Sequence, residues 1–324
     1  MSEQSLLEGN QSREDHVLSA ERARDQRFKW FVTGTALLVL GVLGAIVVSL
    51  ILGSRLTYDH FGWHFLISSE WNPVSNEYGA LPAIYGTLVT SAIALMIAVP
   101  VSFFIAFFIT ELCPRRLRGP VVTVIELLAG IPSIIYGMWG LFILAPILAN
   151  HVQPFLTDVF GHIWLLKSIF QGPPIGIGLL PSALILSLMI VPFITSVMRE
   201  VFEVVPFSLK EAGYGIGGTT WEVMWDIVVP YTRIALVGGI MLGLGRALGE
   251  TMAVTFMIGN NNQISLALFD SGNSIASVIA NEFAEAADPL HASALTSLGL
   301  ILFVITFLVL AVARLLIMRV ERKA

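Results

Sequence analysis

The sequence predicts an all-α membrane protein, a polytopic bundle of six helical spans. Three observations lead there. Of 324 residues, 56% are hydrophobic and only 13% charged, where a soluble domain carries about a quarter. Apolar runs recur at about the 20-residue length that a bilayer core demands of a helix. None of them alternates apolar with polar residues as the roughly ten-residue strands of an outer-membrane barrel do. The same composition excludes other classes. Eighteen Lys plus Arg against 23 Asp plus Glu give a formal charge of -5 without a basic stripe, so nucleic-acid binding is not expected. Cys113 is the single cysteine, and the six histidines show no ligand spacing, so neither a disulfide framework, a metal nor a cofactor is expected.

Residues 1–29 are polar, mixed in charge, and read as a flexible segment without chemistry. The first span is 30–52; it is uncharged, too long for a signal-peptide core, lacks a small-residue cleavage pattern, and reads as a retained helix. Residues 53–80 hold Tyr58, Phe61, Trp63, Phe65, Trp71 and Tyr78, which suit either an interfacial belt or a docking surface for a soluble partner. Spans two to four are 81–110, 121–149 and 175–198, and their one charge, Glu126, is expected to be interfacial or paired with a basic loop residue such as Arg115 or Arg118, ahead of acting as a substrate ligand. Pro100, Pro132 and Pro192 lie inside spans, where they can kink helices toward a cavity or simply pack. Span five, 234–258, carries Arg246 and Glu250, and span six, 292–313, carries no charge. Between them, residues 274–287 place Ile275, Val278, Ile279, Glu282 and Phe283 at helical spacing, predicting a short helix lying on the outer surface. The membrane domain is thus 30–318, followed by a tail, 319–324.

Fifteen of the eighteen basic residues fall on one side if the N-terminus is inside, among them Arg115, Arg116, Arg118, Arg199, Lys210 and Arg233. By the positive-inside rule both termini and the 199–233 loop are cytoplasmic. The outer loops keep only Arg55 and Lys167.

That loop is too long for a simple connection. Helix formers after Pro206 give way to Gly213, Gly215, Gly217 and Gly218, which permit a sharp turn. Thr219 and Glu222 then have capping-box spacing and open a second helix with Pro230 beyond its end. A helix, a glycine turn and a helix result. Such an element can enter another protein's groove, or it can only brace the bundle.

The run Glu211-Ala212-Gly213, then Gly217, then Ile227 and Pro230 resembles the conserved cytoplasmic loop of binding-protein-dependent ABC importer permeases, with Gly213 where that pattern has a second alanine and Val229 where it has leucine. In that family the loop forms a coupling helix docked on an ATPase subunit, so the resemblance implies a type I ABC importer permease fold and ATP-driven import. Stretches beginning at Tyr78, Glu126, Gly238 and Ala280 resemble PstC-type permeases of bacterial phosphate-specific importers. The resemblance implies a bacterial inner-membrane protein moving inorganic phosphate, with a paralogous PstA-type permease, a PstB-type ATPase dimer, a PstS-type periplasmic phosphate receptor, a PhoU-type regulator and surrounding membrane lipid as partners.

The residues add a reading of their own for span five. Wound at about 100° per residue, Gly239, Gly243, Arg246 and Glu250 share one face, and a charge in mid-span is costly enough to be turned inward. Arg246 and Glu250 are also spaced for an i,i+4 ion pair. This face either lines a translocation path, where a guanidinium offers donors to phosphate, or closes a seam with a second permease. No P-loop sequence is present, and no nucleophile, base or metal set clusters, so no catalytic residue is assigned and energy must come from another chain or an ion gradient. Sulfate or molybdate permeases and ion-coupled transporters are the competing readings.

Overall fold

The computed structural model describes residues 3–163 and 167–321. Among the described residues six helices are long and apolar enough to cross a membrane: Arg24–Phe61, Leu81–Leu112, Ser133–Phe160, Leu179–Glu203, Thr220–Leu248 and Pro289–Leu315, numbered spans 1 to 6 below. Among the described residues the only β pairing is an isolated bridge between Asn72 and Glu77.

The chain divides into two compact units, Met1–Gly53 and Ser54–Ala324. The first is a single helix, Glu3–Gly53, whose apolar residues from Phe28 to Leu52 are mostly exposed. The polar N-terminal segment that reads as flexible belongs to this helix from Glu3 onward. It contains no proline and is rich in Glu, Arg, Gln, Leu and Ala, which extend a helix at little cost. Residues 322–324 of the predicted tail lie outside the described residues.

Span 4 forms the core of the second unit, burying Ile185, Leu186, Met189, Ile190, Ile194, Met198 and Phe202. Span 2 packs along it through buried Ala94, Ala98, Ser102 and Ala106. Small side chains at intervals of four let two helix backbones approach closely, and that close approach is what holds helices together where lipid removes the hydrophobic driving force. Ser102 Oγ donates to the Val191 carbonyl oxygen at 3.1 Å, next to Pro192. A second core, at the end of the unit away from residues 199–233, contains Phe65, Tyr78, Ala83, Ile275, Val278, Leu295 and Leu298.

Two of the expected spans are interrupted. The stretch 121–149 is not one helix: Arg115–Ala129 is a separate amphipathic helix, and the crossing helix begins at Ser133 after a break at Gly130, Ile131 and Pro132. Proline has no N–H for the helical ladder and pushes the residue before it out of the helical region, so the run stops there. The stretch 234–258 is likewise interrupted. Its helix starts earlier, ends at Leu248, and resumes only as the short Met252–Ile258 helix. A run of apolar residues measures hydropathy and cannot register such breaks.

Candidate functional site

The glycine-turn segment folds as a hairpin. Pro206 precedes the helix Phe207–Gly215, and the chain then reverses as Ile216 N–H donates to the Ala212 carbonyl at 3.3 Å and Gly218 N–H to the Gly213 carbonyl at 3.1 Å. Gly217 sits at φ +90°, a conformation that L side chains rarely adopt. Thr219 caps the second helix: Glu222 N–H donates to Thr219 Oγ1 at 3.3 Å, and Thr219 N–H donates to Glu222 Oε2 at 2.7 Å.

The second helix does not end before Pro230. It passes through a wide π turn, Met224–Val228, directly into Val229–Leu248, making span 5 continuous with the hairpin. Such a turn relieves the clash between the proline ring and the carbonyl a turn earlier, so Pro230 sits in the first turn of the longer helix. Trp225 stacks on Phe103 at 5.3 Å between centroids, and Trp221 on Phe104 at 6.4 Å, fastening this helix to span 2.

Gly213, Gly217 and Ile227 come together in one groove with Gly218, Val223 and Asp226. Glu211 and Ala212 are exposed on the first helix, and Pro230 is exposed further along. A Cβ at Gly213 would lie 2.5 Å from Ile227 Cδ1, so the side chain of Ile227 already fills the space an alanine methyl would take. The hairpin also exposes large apolar groups: Ile216 is 90% exposed and Phe207 72%.

The span-five face is rearranged by the break after Leu248. Gly239 and Gly243 are buried against span 4, where an added Cβ would stand 2.8 Å from Val197 Cγ1 and 2.6 Å from Ile194 Cδ1 respectively. They make helix packing and are covered. Arg246 is exposed, its guanidinium carbon 5.8 Å from the Phe193 ring centroid. No ion pair joins Arg246 to Glu250 among the described residues; Glu250 instead accepts from Ala253 N–H at 3.2 Å and starts the short helix that follows. An i,i+4 pair requires an unbroken helix through Gly249, whereas an acid beside freed backbone N–H groups caps the next helix.

An ion pair beside the hairpin leaves no signal in the sequence. Lys210 Nζ lies 2.5 Å from Glu111 Oε1, with both side chains 11% exposed. Nothing in the local sequence relates residues this far apart. Glu126 is paired with a basic residue as expected, here Arg199 at the start of the 199–233 loop at 3.4 Å, while Arg118 goes to Glu203 at 2.6 Å.

At the opposite end the predicted surface helix is instead part of a core. Ile275 and Val278 of helix Ile275–Glu282 are buried, because span 6 and span 2 cover the apolar stripe. Trp71 Nε1 donates to Glu282 Oε2 at 2.9 Å, His291 Nε2 lies 2.9 Å from the same oxygen, and Tyr78 stacks on His291 at 5.3 Å. Burial first, then the negative charges of Asp288 and Glu282, hold the Tyr78 phenol above its ordinary pKa. The aromatic side chains of segment 53–80 therefore pack inward, except Trp63, which stays 82% exposed. The 259–274 loop folds back between spans: Asn261 N–H donates to the Gly272 carbonyl, and Ile275 N–H to Thr87 Oγ1 at 2.9 Å. No group of His, Cys, Asp and Glu among the described residues is arranged to hold a metal ion.

A family model of binding-protein-dependent transport system inner membrane components matches residues 98–322. The chain is 54% identical over 320 residues to the phosphate transport system permease protein PstC of Mesorhizobium japonicum, covering 99% of this chain and 98% of that protein. It is 57% identical to the Pasteurella multocida protein of the same name over 89% of this chain and 90% of that one. Among solved structures, a chain of a bacterial alginate ABC transporter aligns over 90% of this chain and 94% of its own with a TM-score of 0.58 at 16% identity. A chain of the inward-facing MetNI methionine ABC transporter aligns over 75% and 94% with a TM-score of 0.52, also at 16% identity. These two likenesses show the fold alone.

Proposed function

The chain belongs to the binding-protein-dependent transport system inner membrane components, as a multi-pass phosphate permease of the PstC type, and we propose that its glycine hairpin is the surface through which a separate ATPase drives it. The observation that carries this is the hairpin's combination of an exposed apolar tip and an unbroken exit. Ile216 and Phe207 project large apolar groups into solvent, a cost that a bracing loop has no reason to bear and that a partner's groove removes. The second hairpin helix is the first part of span 5, so displacement of that helix moves a transmembrane helix directly.

The partners that suit this reading are a PstB-type ATPase dimer at the hairpin, a paralogous PstA-type permease alongside, a PstS-type receptor delivering phosphate from outside, and a PhoU-type regulator. The hairpin end and both termini are then cytoplasmic, as the distribution of Lys and Arg favours. Of the four span-five residues, Arg246 is the one whose exposure suits contact with phosphate along the path. Gly239 and Gly243 let its helix close on span 4, and Glu250 fixes the break that follows. The purified complex carrying Ile216→Asp tests the hairpin's role: it is expected to lose the ATPase subunit while retaining the second permease. Full retention of the ATPase and normal ATP-driven phosphate uptake contradict the proposal.

A further inference from the structure

The hairpin is tied to a span with which it shares no direct chain connection. Lys210 lies in its first helix, and Glu111 lies in the wide turn Phe108–Leu112 that closes span 2. The Lys210 ammonium donates to Glu111 Oε1 at 2.5 Å and lies 3.4 Å from the Phe202 carbonyl oxygen of span 4. At the same end Arg118–Glu203 and Arg199–Glu126 join the helix Arg115–Ala129 to span 4, with glutamates 45% and 53% exposed. Those pairs are screened by water and hold little. The Lys210 pair is largely buried, so the desolvation of its two charges offsets much of their attraction, and net stability is not what such a pair contributes. A largely buried pair with an additional carbonyl acceptor has few alternative geometries, and it fixes one register between the elements it joins.

Span 2 then runs to the opposite end of the unit. There Thr87 Oγ1 accepts the Ile275 N–H at 2.9 Å, and Gly86 lies so close to the Asn273 carbonyl that an added Cβ would stand 1.9 Å from its oxygen. One helix thus touches the hairpin at Glu111 and the 259–274 loop at Gly86 and Thr87. From this juxtaposition we infer that Lys210 and Glu111 are positioning residues that carry hairpin displacement into span 2 and along it to the far loop. The inference rests on the coupling reading of the hairpin. Direct chain continuity drives spans 4 and 5; this pair, together with the stacking of Trp221 and Trp225 on Phe104 and Phe103, recruits span 2.

The test uses the assembled transporter in proteoliposomes, with receptor and inorganic phosphate, and reads ATPase retention, ATP hydrolysis and phosphate moved per ATP. Lys210→Met is expected to keep the ATPase bound while phosphate moved per ATP falls about tenfold, a usual size for coupling between two sites. Lys210→Arg, and the exchanged pair Glu111→Lys with Lys210→Glu, are expected to recover most of that ratio. A ratio within about twofold of the unmodified complex in Lys210→Met overturns the inference, as does a loss that neither rescue variant repairs. Glu111→Gln, which keeps shape and an acceptor for the ammonium, is read in the same way should Lys210→Met not assemble. If both single variants shed the ATPase, the pair only shapes the docking surface and the inference is overturned. Absence of the ATPase from the unmodified complex would instead defeat the coupling reading itself.

Discussion

Gly86 leaves no room for a single methyl group. The atom that an added Cβ would strike belongs to the backbone of Asn273, which cannot rotate aside as a side chain can. Gly86→Ala is therefore expected to cost about 1–3 kcal/mol, as overpacking does in a filled core, and to lower the melting temperature of the detergent-solubilised protein; an unchanged melting temperature contradicts this close approach. Arg246 is a residue of another kind, exposed and unpaired by Glu250. Arg246→Leu is expected to leave the complex assembled and reduce phosphate uptake roughly tenfold, the scale of one lost charge-assisted hydrogen bond. Loss of assembly would mean that Arg246 closes a seam between permeases, and an intact complex with normal uptake would remove it from the path. Arg246 was legible in the sequence because a charge inside a long apolar run stands out. The four-residue spacing of Gly239 and Gly243 also announces close helix packing; which span lies across them, and the role of Glu250, were not legible, because they depend on the tertiary neighbour and on a break at Gly249 that periodicity does not encode.

The hairpin and the far core show what local sequence specifies at the level of elements. The glycine turn and the Thr219–Glu222 capping box were both readable, since each is built from residues within a few positions of one another. The continuity through Pro230 was not, because a π turn absorbs the proline at a place where proline ordinarily marks a helix boundary. The Trp71, Glu282 and His291 cluster joins segments far apart in the chain and left no mark in either. It fastens the aromatic segment to helix Ile275–Glu282 and to span 6. Trp71→Phe removes the indole donor and keeps most of the packed surface. It is expected to destabilise the protein by about 1–3 kcal/mol, the range for a hydrogen bond to a charged acceptor, as read by thermal unfolding of the solubilised protein. No measurable loss would mean that water replaces the indole there.

For the whole molecule, hydropathy alone yields the number of spans, since a bilayer permits few ways to satisfy a backbone. Their bounds follow from prolines and glycines whose effect depends on packing. The proposed function at this scale is relayed motion, for which the molecule offers an apolar tip at Ile216, a second hairpin helix continuous with span 5, and span 4 at the centre of the core against which spans 2 and 5 pack. The most direct measurement places a cysteine at Ile216 in the assembled transporter and crosslinks it to the ATPase subunit with and without ATP. The account predicts efficient crosslinking whose yield or spacing changes with nucleotide. Crosslinking that never reaches the ATPase, in a complex that still imports phosphate at the expense of ATP, would contradict it.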